Sequence, residues 1–378
     1  MNQKNSSKES LRTNPVALLG KLFGAQTSAS NHTKQNTITY ALVFAAFVIV
    51  QILISTGNLS RLLTGLLVPL TIYAILAVSL NFVVGILGEL SLGHAGFMCV
   101  GAFASAFFSA LVRDSGMPGL LRFVIALLIG AIVAGIFGFL IGIPVLRLRG
   151  DYLAIVTLAF GEIIMNVINA MFIGRDSNGF HMSMTSSLAL NMNETGTLLV
   201  NGPQGITGTP RYATFTIGVI LLFITIFVIT NMMNSRDGRA IMAIRDNRIA
   251  AESVGINITK YKLMAFTISA SLAGLAGVLY AHNLSTLTAN PRNFGYNMSI
   301  MILVFVVLGG IGNIRGSIIA AVILTLLPEL LRGLSDYRML IYAIILIVMM
   351  LWNWAPKAIA WRERNSFKAF MARRGGKN

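Results

Sequence analysis

The feature that most constrains this chain is a succession of apolar runs of about 20 residues, each long enough to cross a hydrocarbon layer about 30 Å thick as a helix. They lie at roughly 38–56, 62–87, 93–112, 120–145, 152–173, 212–233, 263–281, 298–311, 316–331 and 338–355. Only 11% of the 378 residues are charged and 55% are hydrophobic, whereas a water-soluble domain carries about 25% charged residues. The expected class is an all-α polytopic membrane protein with about ten transmembrane helices. Cys99 is the single cysteine, so neither an intrachain disulfide nor a cysteine zinc cluster can form.

A net charge of +16 invites a nucleic-acid reading, but that requires a basic face on a folded domain. Here the charge sits between apolar runs, where it sets orientation instead. Cytoplasmic segments of membrane proteins carry excess Lys and Arg. With the N-terminus inside, the segment to residue 36, Arg147, Arg149, the loop 234–262, Arg315 and the end from 357 hold 21 of the 29 Lys and Arg. The expected organisation is therefore a basic cytoplasmic tail over 1–36, a transmembrane domain over 37–356 and a second basic cytoplasmic tail over 357–378. The tails are suited to anionic lipid. Residues 1–36 are too long a preamble for a cleaved leader. Residues 174–211, rich in Asn, Ser, Thr and Gly, read as an extracytoplasmic loop able to meet a partner.

Three stretches carry functional signal. Residues 62–112 are interrupted by Gly88, Glu89, Leu90, Ser91, Leu92, Gly93, His94, Ala95 and Gly96. They are either two spans or a broken helix whose irregular backbone lines a buried pathway. In the span after Arg149, Glu162 is a carboxylate near the membrane centre, which costs about 2.5–3.5 kcal/mol on insertion scales for the comparable Asp and must face the bundle interior. The plainer reading of Glu162 is a helix-to-helix hydrogen bond, with Asn166 and Asn169 continuing a polar stripe. Residues 239–253 have helix-forming composition and Gly255 suits the position just past a helix end, so a short charged helix is expected beneath the membrane. Gly309 and Gly310 lie in a glycine run lacking both the Lys-Ser or Lys-Thr of a P-loop and dinucleotide spacing. They belong to a tight inner hairpin or a pathway-lining helix end. His32, His94, His181 and His282 show no paired spacing, so no metal is assigned. No catalytic constellation appears either, and no cofactor is expected.

Five ordered stretches also resemble a known family: residues 91–97 (Ser-Leu-Gly-His-Ala-Gly-Phe), 150–162, 243–255, 261–277 and 308–329. They resemble permease subunits of the high-affinity branched-chain amino acid ABC importer, of the LivM type. The resemblance spans roughly residues 60–355 and leaves both tails uncovered; urea permeases are close relatives. It implies a type II-like importer domain in a bacterial or archaeal plasma membrane, with both termini cytoplasmic. The implied partners are a second, LivH-type permease, two cytoplasmic ATPase subunits and an extracytoplasmic solute-binding protein. The implied coupling helix carries Arg239, Arg245, Asp246, Ala250, Ala251, Glu252 and Gly255. The expected translocation path runs past Ser91, Gly93, His94, Gly96, Phe97, Thr157, Phe160, Glu162, Gly309 and Gly310, with helix-end amides near Gly93 to Gly96 facing a substrate carboxylate. The alternatives are a permease for urea or another small solute, an ion-coupled secondary transporter and a membrane-embedded enzyme.

Overall fold

The computed structural model describes residues 38–57, 60–113, 116–148, 150–193, 196–331 and 337–354. The two basic tails and Arg149 lie outside them. The first described unit contains one helix, α1 (Ile38–Ser55). The second, from Ser60 onward, contains α2 (Arg61–Asn81), a π turn (Phe82–Leu87), α3 (His94–Leu111), α4 (Gly119–Val145), α5 (Asp151–Ala170), α6 (Phe215–Asn234), α7 (Arg236–Asp246), α8 (Arg248–Ser253), α9 (Ile258–Asn283), α10 (Pro291–Phe294), α11 (Tyr296–Gly309), α12 (Ile314–Leu330) and α13 (Arg338–Trp354).

Among the described residues, eight helices are long and apolar enough to cross a membrane, α2 with its π turn and α10 with α11 each counting as one. α12 and α13, at 17 residues each, stand at the short end of the spanning range of about 17–25 residues. The ten expected spans therefore all appear as helices. Residues 62–112 resolve into two of them, α2 and α3, rather than one broken segment. The connections alternate between two sides. The α2–α3 connection, the α4–α5 turn, α7 with α8, and the α11–α12 hairpin share one side; residues 112–118 and 171–213 share the other.

Close packing of small residues builds the centre. α3, α4 and α9 make the most extensive mutual contacts in the chain. A Cβ added to Gly101 of α3 would fall on the Gly274 backbone of α9, and one added to Gly274 would fall on Ala134 of α4. Lipid tails are as apolar as leucine, so hydrophobicity does not drive such helices together; backbone approach and dispersion do. Around this centre, α2 packs on α9 and α12, and α5 packs on α3.

The side away from α7 departs from the all-helical expectation. Residues expected as a loop form a sheet of order β2-β1-β3 from β1 (Phe172–Asp176), β2 (Gly179–Ser183) and β3 (Thr197–Asn201). The strands pair antiparallel, with a bulge between Ile173 and Gly174. A second pair, β4 (Ile206–Thr207) with β5 (Thr286–Leu287), ties this region to the end of α9. The β1–β2 turn is set by Asp176, whose Oδ1 accepts from the amides of Asn178 at 2.7 Å and Gly179 at 3.1 Å. Desolvation raises the Asp176 carboxyl, but the amides of Asn178 and Asn193 and the imidazole of His181 outweigh it and hold the group below its usual range.

The glycine contact yields a paired expectation. Gly101→Val forces methyl groups into a backbone-to-backbone contact, where overpacking costs about 1–3 kcal/mol or more. Gly65 of α2 has nothing within 4 Å of an added Cβ, and Gly65→Ala gains up to about 1 kcal/mol of helix propensity. Thermal unfolding of the detergent-solubilised chain should show a lowered midpoint for the first variant and an unchanged or raised midpoint for the second.

Candidate functional site

Most of the expected path residues gather at the start of α3 and on the face of α5 that meets it, whereas Gly309 and Gly310 lie apart, against α12. At Gly93 a Cβ would fall on the Thr157 carbonyl of α5, and at Gly96 it would come within 2.7 Å of the Gly161 Cα. These two glycines therefore let α3 enter directly against α5. Thr157 Oγ1 donates to Ala154 O at 2.9 Å and accepts from the Leu92 amide at 3.0 Å. The Ala95 amide donates to Ser299 Oγ of α11 at 3.1 Å, and the Gly96 amide donates to Gly93 O at 3.0 Å. The amides of Leu92, Ala95 and Gly96 thus have partners within the protein.

His94 is buried, with its Nε2 2.7 Å from Ser79 Oγ of α2. Ser79 Oγ also lies 3.0 Å from Leu76 O, so the hydroxyl links the imidazole to the α2 backbone. Phe97 lies between two rings, 5.7 Å from Phe160 and 5.4 Å edge-on to Phe266. Phe160 also lines a wholly apolar cavity of about 450 Å³ with Val100, Phe103, Phe137 and Ile163. Ser91 Oγ is buried without a hydrogen-bond partner among the described residues.

Glu162 has a specific neighbour. Its Oε1 accepts from the Tyr296 amide, the first residue of α11, at 2.6 Å. Asn166 donates to the Glu162 main-chain carbonyl at 2.8 Å and does not bond the carboxylate. Farther along the same stripe, Asn169 Nδ2 donates to Ala289 O at 2.7 Å. Glu162 precedes the end of α5 by eight residues, about 12 Å at 1.5 Å per residue. α11 has 14 residues, about 21 Å, and so begins inside the membrane layer. Its leading amides would otherwise be orphaned, and a carboxylate from α5 supplies the acceptor at the positive end of the helix dipole.

Gly309 and Gly310 form the other end of α11. A Cβ at Gly309 would fall on the backbone of Gly316 and Ser317. Gly310 and Gly312 have φ of 95° and 81°, a left-handed turn suited to glycine. Asn313 caps α12 by accepting from the Gly316 amide at 3.3 Å.

The expected charged helix is two helices. Asn247 ends α7 and caps α8, its Oδ1 accepting from the Ala250 amide at 3.0 Å. α8 closes as expected at Gly255, whose φ is 84°; its amide donates to Glu252 O at 3.0 Å and that of Ile256 to Ala251 O at 3.1 Å, a Schellman closure. Ile244, Ala251 and Ile258 pack together beneath. Arg239 Nη1 donates to Asn234 O at 3.1 Å, while Ala250, Glu252 and Gly255 are exposed. Arg245 pairs with Asp246 at 3.2 Å and donates Nη1 to Gly85 O of the π turn at 2.7 Å.

Sequence reasoning missed two features here. Lys262 of α9 pairs with Glu89 in the α2–α3 connection, their side chains 4% and 16% exposed. Asn81 at the end of α2 is fully buried, accepting from the Gly312 amide at 2.8 Å and donating to Ser317 Oγ at 3.0 Å. The available signal was polarity itself, since an asparagine within the apolar run 62–87 and a lysine bordering the run 263–281 demand partners.

Residues 62–351 match the family described as branched-chain amino acid transport system / permease component. Over 291 residues the chain is 37% identical to the high-affinity branched-chain amino acid transport system permease protein LivM of Salmonella typhimurium, and equally to that of Escherichia coli. Each alignment takes in 75% of this chain and 66% of the relative, just under two thirds of its length. The chain is 22% identical to the fructose import permease protein FruG of Bifidobacterium longum, over 85% of this chain and 92% of that one. No solved structure matches.

The cap separates two roles of Glu162. Glu162→Ala removes the acceptor and, like loss of other helix caps, should cost about 0.5–2 kcal/mol. Glu162→Gln keeps an oxygen for the Tyr296 amide and loses only the charge, worth about 0.3–1 kcal/mol at a helix end. The expected outcome is a lowered unfolding midpoint for Ala, a near-parental midpoint for Gln, and uptake by the Gln variant reduced at parental abundance. Parental uptake by Glu162→Gln would leave the residue with the cap alone.

Proposed function

The chain belongs to the family of branched-chain amino acid transport system permease components, and from that premise we propose that it is the translocating subunit of an ATP-driven importer of leucine, isoleucine and valine. Its partners are a second permease of the LivH type, two cytoplasmic ATPase subunits and an extracytoplasmic solute-binding protein. The α7–α8 side faces the cytoplasm of a bacterial or archaeal cell, and both tails lie there, in keeping with the Lys and Arg distribution. The permease performs no bond chemistry. ATP binding draws the ATPase subunits together, and the packed helices pass that displacement to the path at the start of α3, α5 and α11. Substrate and nucleotide shift the equilibrium through contacts that differ between inward- and outward-facing states.

The observation that carries this reading is the build of α7 and α8. α7 buries Gly238, Ile241 and Ile244 against the bundle, whereas α8 presents Ile249 and Val254 at 81% and 76% exposure beside the exposed Glu252. Apolar side chains on a polar two-helix projection suit a protein partner.

The solute is tested by uptake of labelled leucine, urea and fructose into proteoliposomes holding the assembled complex. ATP-dependent uptake of leucine alone is expected; uptake of either other solute in its place would reassign the substrate. Coupling is tested separately. Glu252→Lys reverses a charge on the docking surface, and Gly255→Val places a branched side chain at a left-handed position, costing about 1–2 kcal/mol. Both should abolish the stimulation of ATP hydrolysis by loaded binding protein while leaving membrane insertion intact. Undiminished stimulation in both variants would sink the assignment of α8.

A further inference from the structure

The α2–α3 connection contains one residue held from two directions. Gly85 lies in the π turn that prolongs α2. A Cβ at Gly85 would fall on Asn81 Oδ1 and on the Gly312 amide nitrogen, so its backbone lies directly against the α11–α12 hairpin. On its other flank its carbonyl accepts from Arg245 of α7 at 2.7 Å. Carbonyls in the last turn of a helix have no further helical amide to accept, and the guanidinium provides the donor. The Arg245 stem continues the contact, with its Cγ 2.6 Å from where a Cβ of Gly88 would stand.

Asn81 closes the link. Its side chain is fully buried, and its two ends bond opposite parts of the hairpin, the Gly312 amide at 2.8 Å and Ser317 Oγ at 3.0 Å. Ser317 Oγ in turn donates to Asn313 O at 3.2 Å. α11 is thereby fastened at both ends, at the hairpin by Asn81 and Gly85, and at its start by the Glu162 carboxylate. A rigid helix fastened in this way moves as a unit, and π turns inside helices are frequent at functional sites.

We propose that Arg245 is a positioning residue that transmits displacement of α7 through the Gly85 carbonyl and Asn81 to the α11–α12 hairpin, rather than a contact to the ATPase. It rests on the coupled-importer reading above and divides the labour within it. α8, with Ile249 and Val254 outward, grips the engine, and Arg245 at the end of α7 drives the helix that ends at Glu162. A lysine can supply one N–H to the same carbonyl but lacks the flat, multiply donating head.

The test uses the reconstituted complex and compares the parent with Arg245→Ala, Arg245→Lys, Asn81→Ala and the Arg245→Ala/Asn81→Ala double variant. ATPase subunits should co-purify with Arg245→Ala at the parental ratio. Leucine uptake per ATP hydrolysed should fall about tenfold, within the 5–150-fold range of coupling between sites, and Arg245→Lys should recover part of it. The double variant should be no worse than the poorer single, the non-additivity of residues acting in series. Loss of the ATPase subunits from Arg245→Ala would make Arg245 a docking contact and overturn the inference. An unchanged uptake-to-hydrolysis ratio, or effects that multiply in the double variant, would overturn it too while leaving the importer reading intact. A parent complex without ATPase subunits or ATP-dependent uptake would instead remove that reading, and this inference with it.

Discussion

Backbone amides and carbonyls inside hydrocarbon have no water to turn to, and each unpartnered group costs several kcal/mol. A continuous helix meets that demand by itself, but α11 starts partway along α5, and on the α7 side the α2–α3 connection and the α11–α12 hairpin bury turning backbone against other helices. Each interruption is met by a side chain from another helix. Thr157 and Ser299 serve the amides of Leu92 and Ala95, Glu162 serves Tyr296, Asn81 serves Gly312, and Arg245 serves the Gly85 carbonyl. Some polar residues in the apolar spans, such as Thr71, Ser105 and Thr225, bond carbonyls of their own helix, but several others are thus donors and acceptors assigned to breaks. Their positions fix which helices must stay in register with which.

Two kinds of contact hold the helices together. α3, α4 and α9 meet through glycine and alanine, with backbones close enough that an added methyl at Gly101 or Gly274 has nowhere to go. Such a contact resists sliding, because the interlocked surfaces have no alternative arrangement of similar density. α11 and α12 also meet through glycine at their hairpin, and discrete hydrogen bonds hold that hairpin to α2 and the α11 start to α5. The packed body is α3, α4 and α9, and α11 is held to it by the Ala95–Ser299 bond.

The sequence made the spans legible because a run of about 20 apolar residues has few other uses, and it resolved the closing glycine of α8 because Gly255 has the left-handed geometry that favours it. The break at Asn247 was hidden: asparagine is tolerated within a helix, and its side chain shows itself as a cap only once the chain turns there. The three-stranded sheet was hidden too, since five-residue strands with both faces partly exposed lack the alternation that marks a half-buried strand. Glu162 was visible as a charge requiring a partner, but that partner, Tyr296, lies 134 residues away. Asn81 and Gly312 are 231 residues apart. Pattern within one helix reports which residues must be satisfied, and only the fold says by whom.

The same constraint underlies the proposed assignment of docking and transmission to different residues. In that proposal, a side chain that grips a separate subunit must remain in water, and Ile249 and Glu252 on α8, with Val254 just after it, are exposed. A side chain that moves a buried helix must hold a group the helix cannot release, and a terminal carbonyl without a helical donor is such a group. Arg245 meets that second condition at Gly85, and its partly exposed guanidinium also pairs with Asp246 at the surface. Arginine suits the position because it stays charged and spreads several donors over one plane, so it can hold the carbonyl and the surface carboxylate together. Exposure and hydrogen bonding, read residue by residue, thus divide a short polar segment into a face open to water and an end that reaches the bundle.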